Sequence, residues 1–287
     1  MEQRCLYTLL HAEKASHEPI LLEWAAPLTR TLRDDARLDS LFFARYNKPD
    51  WQIRYRVLGD PAWVDGPVRE TVGKTLEPLH ERGAFSSREF ATYEREYERY
   101  GGPEGMRLSE KIFFHDTVAC LELIEAEARG RLSKSRREYS LVLTECLLDL
   151  FGFDRAQRIA FYEFGYRWTR EVGGWEPDEF RVLEERYQGL REGLAALVDG
   201  RHDGDADASW GGVEPAAIAH RCLDATRPVV EELLAAHAAG RIHQDPIHLA
   251  WSYCHMHCNR LGVATPAEAI LRFFMHRLHE ERQVGAA

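Results

Sequence analysis

Two runs rich in strand-forming residues, LDSLFFARY at 38–46 and WQIRYRVLG at 51–59, face each other across Asn47-Lys48-Pro49-Asp50. Asn, Pro and Asp supply turn chemistry, so the chain reads as a buried strand, a reversal and a second strand. Few arrangements bury such a pair except a sheet covered on one face. A third apolar run, RCLYTLL at 4–10, reads as another strand. Between it and the pair, Leu21, Leu22, Ala25, Leu28 and Leu32 recur near helical spacing, which predicts a helix over 17–33.

The second strand of the pair alternates. Side chains of a strand point to opposite faces in turn. Trp51, Ile53, Tyr55 and Val57 therefore share the core side, and Gln52, Arg54 and Arg56 share the other. Two guanidiniums two residues apart on one face can grip a carboxylate or phosphate through paired N–H donors. A solvent-facing strand with two ordinary arginines gives the same pattern.

Past residue 60 the periodicity is mostly helical. It predicts helices near 66–82, 104–131, 136–151, 154–169, 177–199, 214–239, 246–261 and 265–282. Strands early and helices late predict an α+β fold: a mixed or antiparallel sheet packed with numerous helices, and a helical C-terminal half. The Gly/Asp-rich stretch at 200–212 reads as a flexible loop within a single domain spanning 1–287.

Two further segments concentrate chemistry. Residues 93–102, YEREYERYGG, read as either strand or helix. As a helix they would line up Tyr93, Tyr97 and Tyr100 and stack Arg95 with Arg99, although a charged surface helix shows the same pattern. In WSYCHMHCNRL, 251–261, an apolar stripe of Trp251, Cys254, Cys258 and Leu261 has helical spacing. His255 and His257 fall on opposite edges of that stripe. His255 is grouped with Asn259 and His257 with Arg260, and a histidine there is either a satisfied structural residue or a general acid or base. Metal binding is disfavoured, because only Cys254 and Cys258 share a face cleanly and that face is apolar.

The formal charge of −10 argues against nucleic acid as a general partner. Six irregularly spaced cysteines do not form the framework of a small secreted domain. No apolar stretch approaches the ~18–20 residues of a membrane helix. The start MEQRCLYTLL lacks the features of a signal peptide, and the expectation is a reduced cytoplasmic protein without a membrane partner. Signatures of nucleotide-binding loops, serine hydrolases and zinc proteases are missing.

Taken in order, FFARYNKPDWQIRYRV, TYEREYERYGGPEGMRLSEKIFFHDT and SYCHMHCNRL resemble the elimination domain of class I lanthipeptide dehydratases. The family's corresponding patterns are approximately F-I-R-Y-x-x-P-H-x-R-x-R-F, E-R-Y-G-G and H-M-H-x-N-R-L. In that family a partner esterifies Ser or Thr of a precursor peptide with glutamate from glutamyl-tRNA, and the elimination domain expels the glutamate. The resemblance implies that Arg54 and Arg56 contact glutamate, with Arg95 or Arg99 as a third contact. It implies that His255 transfers the proton, and that Gln52, Tyr93, Tyr97, His257, Asn259 and Arg260 help hold substrate. It also implies no metal or organic cofactor, a precursor peptide as substrate, and a separate tRNA-dependent glutamylation protein as partner, as in split thiopeptide systems; a homodimer is compatible with it. Two departures stand out. The family's Pro-His becomes Pro49-Asp50, and YEFGYRWTREVGGW at 162–175 matches no family block. The same fold hosts pyridine synthases, which join two dehydroalanines by a formal four-plus-two cycloaddition. A peptide-holding scaffold without catalysis is the alternative of a different class.

Overall fold

The computed structural model describes residues 4–173, 177–202 and 209–284. Contacts divide the chain into two compact units, one ending at Arg129 and the other beginning at Gly130.

The first unit is built on four antiparallel strands, β1 (Arg4–His11), β2 (Leu38–Tyr46), β3 (Gln52–Gly59) and β4 (Ser87–Ala91), in the order β2-β3-β1-β4. The hairpin register sets Phe42 opposite Arg56 and Tyr46 opposite Gln52, while β1 sets Tyr7 on the other side of Arg56. One face of this sheet carries most of its apolar side chains. Leu6, Leu10, Leu41, Phe43, Ile53, Tyr55 and Val57 pack there against helix α1 (17–32), through Ile20, Leu21, Trp24 and Leu28, and against helix α2 (61–81), through Val64, Val72 and Leu76. Each such side chain contributes roughly 1.5–3 kcal/mol on burial. The Tyr55 hydroxyl hydrogen-bonds Thr29 Oγ1 at 2.7 Å, so its polar end is satisfied.

Local sequence sets the element ends. Asp60 caps α2 by accepting from the Trp63 amide at 3.0 Å, with Pro61 at the first helical position. Gly59 closes β3 because a Cβ there would lie 2.3 Å from the Arg37 carbonyl oxygen. Helix α3 (Pro103–Ala128) runs beside the outer strand β2, where Ser40 Oγ donates to the Glu110 carbonyl at 2.6 Å.

The segment written YEREYERYGG is neither strand nor helix. Pairing with β1 stops at Ala91, and residues 92–102 follow an irregular path closed by bonds such as Gly102 N–H to the Tyr97 carbonyl, 2.8 Å. Gly101 and Gly102, at φ 78° and 106°, turn the chain into α3. Burial of Tyr93 and Tyr100 and inward ion pairing of Arg95 outweigh the local helical preference.

The second unit is helical: α4 (Arg136–Leu150), α5 (Arg155–Gly173), α6 (Pro177–Asp199), α7 (Val213–Ala238), α8 (Pro246–Leu261) and α9 (Thr265–Val284). Ser135 and Glu138 form a capping box on α4. Asp245 caps α8, and Gly262 ends it in the left-handed region at φ 76°. Part of the expected 200–212 loop, 203–208, lies outside the described residues; Gly200–His202 form a short 3-10 turn. Residues 162–173 of the unmatched block lie on α5. Among the described residues no helix is long and apolar enough to cross a membrane.

Candidate active site

On the sheet face opposite the core, β3 presents Gln52, Arg54 and Arg56 as the alternation predicts. Arg56 is 8% exposed, and its guanidinium carbon lies 4.1 Å from the Tyr7 ring centre, 4.9 Å from Tyr93 and 5.3 Å from Phe42. Tyr7 and Phe42 are there because the strand register makes them its cross-strand neighbours. Its Nε has no hydrogen-bond partner. Arg54 lies on the Tyr46 ring at 3.6 Å, and its Nε donates to Gln52 Oε1 at 2.9 Å. Both cations are therefore held mainly by ring faces, an arrangement that fixes position without neutralising charge.

The irregular segment adds two more arginines. Arg95 donates to both carboxylate oxygens of Glu110, from Nε at 2.6 Å and from Nη2 at 3.3 Å. Glu110 is 2% exposed. Burial pushes its carboxyl above the usual range, although Arg95, Tyr93 and Arg56 pull the other way. Arg99 donates from Nη1 to the exposed Glu96 at 3.1 Å and feels the Tyr46 hydroxyl electrostatically. Four guanidiniums against one buried carboxylate make this face suited to a carboxylate ligand. Tyr97 is 42% exposed beside Arg95, outside the aromatic cage.

In the second unit, α8 presents His255 at its partly open edge, 23% exposed, while His257, Cys254, Cys258 and Arg260 are buried. Asn259 is half-buried on the same helix. The His255 ring stacks on Trp251 at 5.6 Å and 8°, and its Nδ1 bonds Glu268 Oε2 of α9 at 2.9 Å. Burial alone would raise the Glu268 carboxyl, but Arg272, one turn along α9, and His255 outweigh it and hold it below the usual range. An ionised carboxylate only accepts, so Nδ1 is the donor in this contact, and in the neutral tautomer it fixes Nε2 is the acceptor. In the neutral ring, such an arrangement can orient a histidine for proton transfer.

The family described as "Lantibiotic biosynthesis dehydratase C-term" matches residues 6–279. The chain belongs to that family. Membership ties it to the biosynthesis of ribosomally made, modified peptides. Subtilin biosynthesis protein SpaB of Bacillus subtilis is 25% identical over 249 residues, which are 84% of this chain and 22% of SpaB. The fold is shared with solved structures, among them MibB, TsrL and TbtD. The tRNA-dependent lantibiotic dehydratase MibB from Microbispora sp. 107891 aligns with a TM-score of 0.72 at 21% identity, over 98% of this chain and 28% of MibB. TsrL aligns with a TM-score of 0.68 at 18% identity, over 99% of this chain and 96% of TsrL. The pyridine synthase TbtD of thiomuracin biosynthesis aligns with a TM-score of 0.68 at 15% identity, over 99% of this chain and all of TbtD. The chain thus spans about a quarter of the length of SpaB and of MibB.

Several residues in this member of the dehydratase C-terminal family escaped the sequence reading. Tyr7, Phe42 and Tyr46 were legible in principle, because alternation within their strands puts them on the arginine face. Glu268 and Arg272 carry the faint signal of an i,i+4 acid–base pair. Glu110 carries none; it meets Arg95 across 15 residues that no periodic element connects.

Proposed function

We propose that this protein eliminates glutamate from glutamylated Ser or Thr of a precursor peptide, leaving dehydroalanine or dehydrobutyrine. The observation that carries the reading is the pair Arg54 and Arg56, side by side on one sheet face and seated on aromatic rings. Such guanidiniums can receive the free carboxylate and the ester of a glutamyl group and align the Cβ–O bond of the esterified Ser or Thr. A base removes the Cα proton, the electron pair forms the Cα=Cβ bond, and the Cβ–O bond breaks to release glutamate as a carboxylate. His255 Nε2 is the proposed base, with Nδ1–H anchored on Glu268. Arg99 is the better candidate for the third glutamate contact, since Arg95 spends two donors on Glu110. The remaining residues expected to hold substrate, Tyr93, Tyr97, His257, Asn259 and Arg260, serve in this proposal as secondary contacts or supports. The peptide would come from a separate tRNA-dependent glutamylation activity.

Mass spectrometry of a glutamylated precursor peptide incubated with the protein tests this. Loss of glutamic acid without added metal or nucleotide is expected; an unchanged peptide with folded protein counts against it. The likeness to TbtD over that enzyme's full length favours a pyridine synthase as the second reading. Formation of a pyridine-containing macrocycle from a dehydroalanine peptide would move that reading to first.

A further inference from the structure

We propose that Glu110 is a positioning residue, which sets the geometry of the arginine face through Tyr93 and Arg95; this rests on the glutamate-elimination reading. Residues 92–102 have no ladder or helix to hold them, yet they carry Arg95, Arg99 and one wall of the Arg56 cage. Short turn bonds close the segment on itself, for example Tyr97 N–H to the Arg95 carbonyl at 2.9 Å. What ties it to the rigid unit includes one buried carboxylate on α3.

Glu110 receives Arg95 through both oxygens, and the nearby Tyr93 hydroxyl favours its charged form. The Tyr93 ring in turn stands edge-on to Tyr7 at 6.1 Å and to Phe42 at 5.9 Å, closing the cage over Arg56. The chain of contacts therefore runs from α3, through one side chain, to the guanidinium proposed to hold substrate. Both oxygens of the carboxylate are taken up by Arg95, which points to a holding role rather than to that of a base. Its negative charge also offsets the repulsion that would otherwise push Arg56 and Arg95 apart. A neutral amide keeps the size but loses the two-pronged contact with Arg95.

Glu110→Gln, Glu110→Asp and Arg95→Ala, with the double variant Arg95→Ala/Glu110→Gln, test this in the full chain. The readouts are elimination kinetics on a glutamylated peptide and amide exchange over 92–102. Glu110→Gln is expected to raise KM about 10-fold with kcat changed less than about 3-fold, the size of one lost charged hydrogen bond. Exchange over 92–102 should quicken. The double variant should be no worse than the poorer single one, because both changes break the same contact. If Glu110→Gln does not fold, Glu110→Asp keeps the charge and should show the same direction more weakly. A folded Glu110→Gln with unchanged KM and unchanged exchange overturns the proposal. So does a collapse of kcat at constant KM, which would make Glu110 part of the chemistry. A wild-type protein that releases no glutamate overturns the elimination reading instead, while the exchange result still decides whether Glu110 holds the segment.

Discussion

The guanidinium of Arg54 lies on the Tyr46 ring and hands its Nε to Gln52, so its outer edge is what a ligand would meet. An ammonium on a flexible stem cannot reproduce that flat, forked contact. Arg54→Lys is therefore expected to slow elimination at least about 10-fold while leaving the melting temperature nearly unchanged, read by peptide kinetics and calorimetry. At the other residue pair, Glu268 fixes the His255 tautomer. Glu268→Gln allows the ring to bind through the wrong nitrogen, and kcat should fall by about 10²-fold or more, near the loss expected for His255→Ala. If Glu268→Gln retains full activity, His255 does not act as an oriented base. The two arginines were legible because strand alternation is a strict rule of two. Glu268 was not, because its meeting with His255 depends on how α9 returns against α8, which no local spacing specifies.

At the scale of elements, most helix ends of the C-terminal half were legible to within two residues, although α5 runs to Gly173, four past the expected end; α6 and α8 begin and end where proline, caps and periodicity place them. The hairpin was equally plain. The segment 92–102 was not, because its tyrosines and arginines suit a strand or a helix locally and are claimed by tertiary contacts instead. Helix α5 supplies a test of close packing. A Cβ on Gly165 would lie 2.5 Å from Arg272 Cδ and 2.6 Å from its Nη1. Arg272 is buried and tied to Glu268, so it has little room to retreat. Gly165→Ala should cost about 1–3 kcal/mol in chemical denaturation and lower activity by displacing the residue that keeps Glu268 ionised. Ala at this position without loss of stability would mean that Arg272 repacks freely.

Across the molecule, charge is also used as structural material. Glu145, 1% exposed, accepts from Arg158 Nη1 at 2.6 Å, from the Tyr162 hydroxyl at 2.6 Å and from His279 Nε2 at 2.9 Å. Burial alone would raise its carboxyl; His279, Arg158 and Tyr162 overcome that and bring it down from 4.5 to about 2. A depressed folded value means the contribution to stability is complete above pH ~4.5 and disappears as pH falls toward about 2. That contribution is on the order of 3 kcal/mol, from the shift between those two values. Acid denaturation should accordingly steepen below pH ~4.5, and Glu145→Gln should flatten that dependence while lowering stability at neutral pH. A wild-type stability that does not vary between pH 4.5 and 2 would contradict the assignment.

The Arg56 cage also carries an entropic consequence. A free arginine side chain has about 2 kcal/mol of rotamer freedom to lose, and Arg56 has surrendered it to three rings before any ligand arrives. Folding, not binding, has borne that loss, together with the desolvation of an Nε that finds no acceptor. Arg56→Met, apolar and similar in length, should thus melt at a higher temperature than the wild-type protein while losing its glutamate-handling activity. The residue best placed to bind substrate would then be one the fold is more stable without.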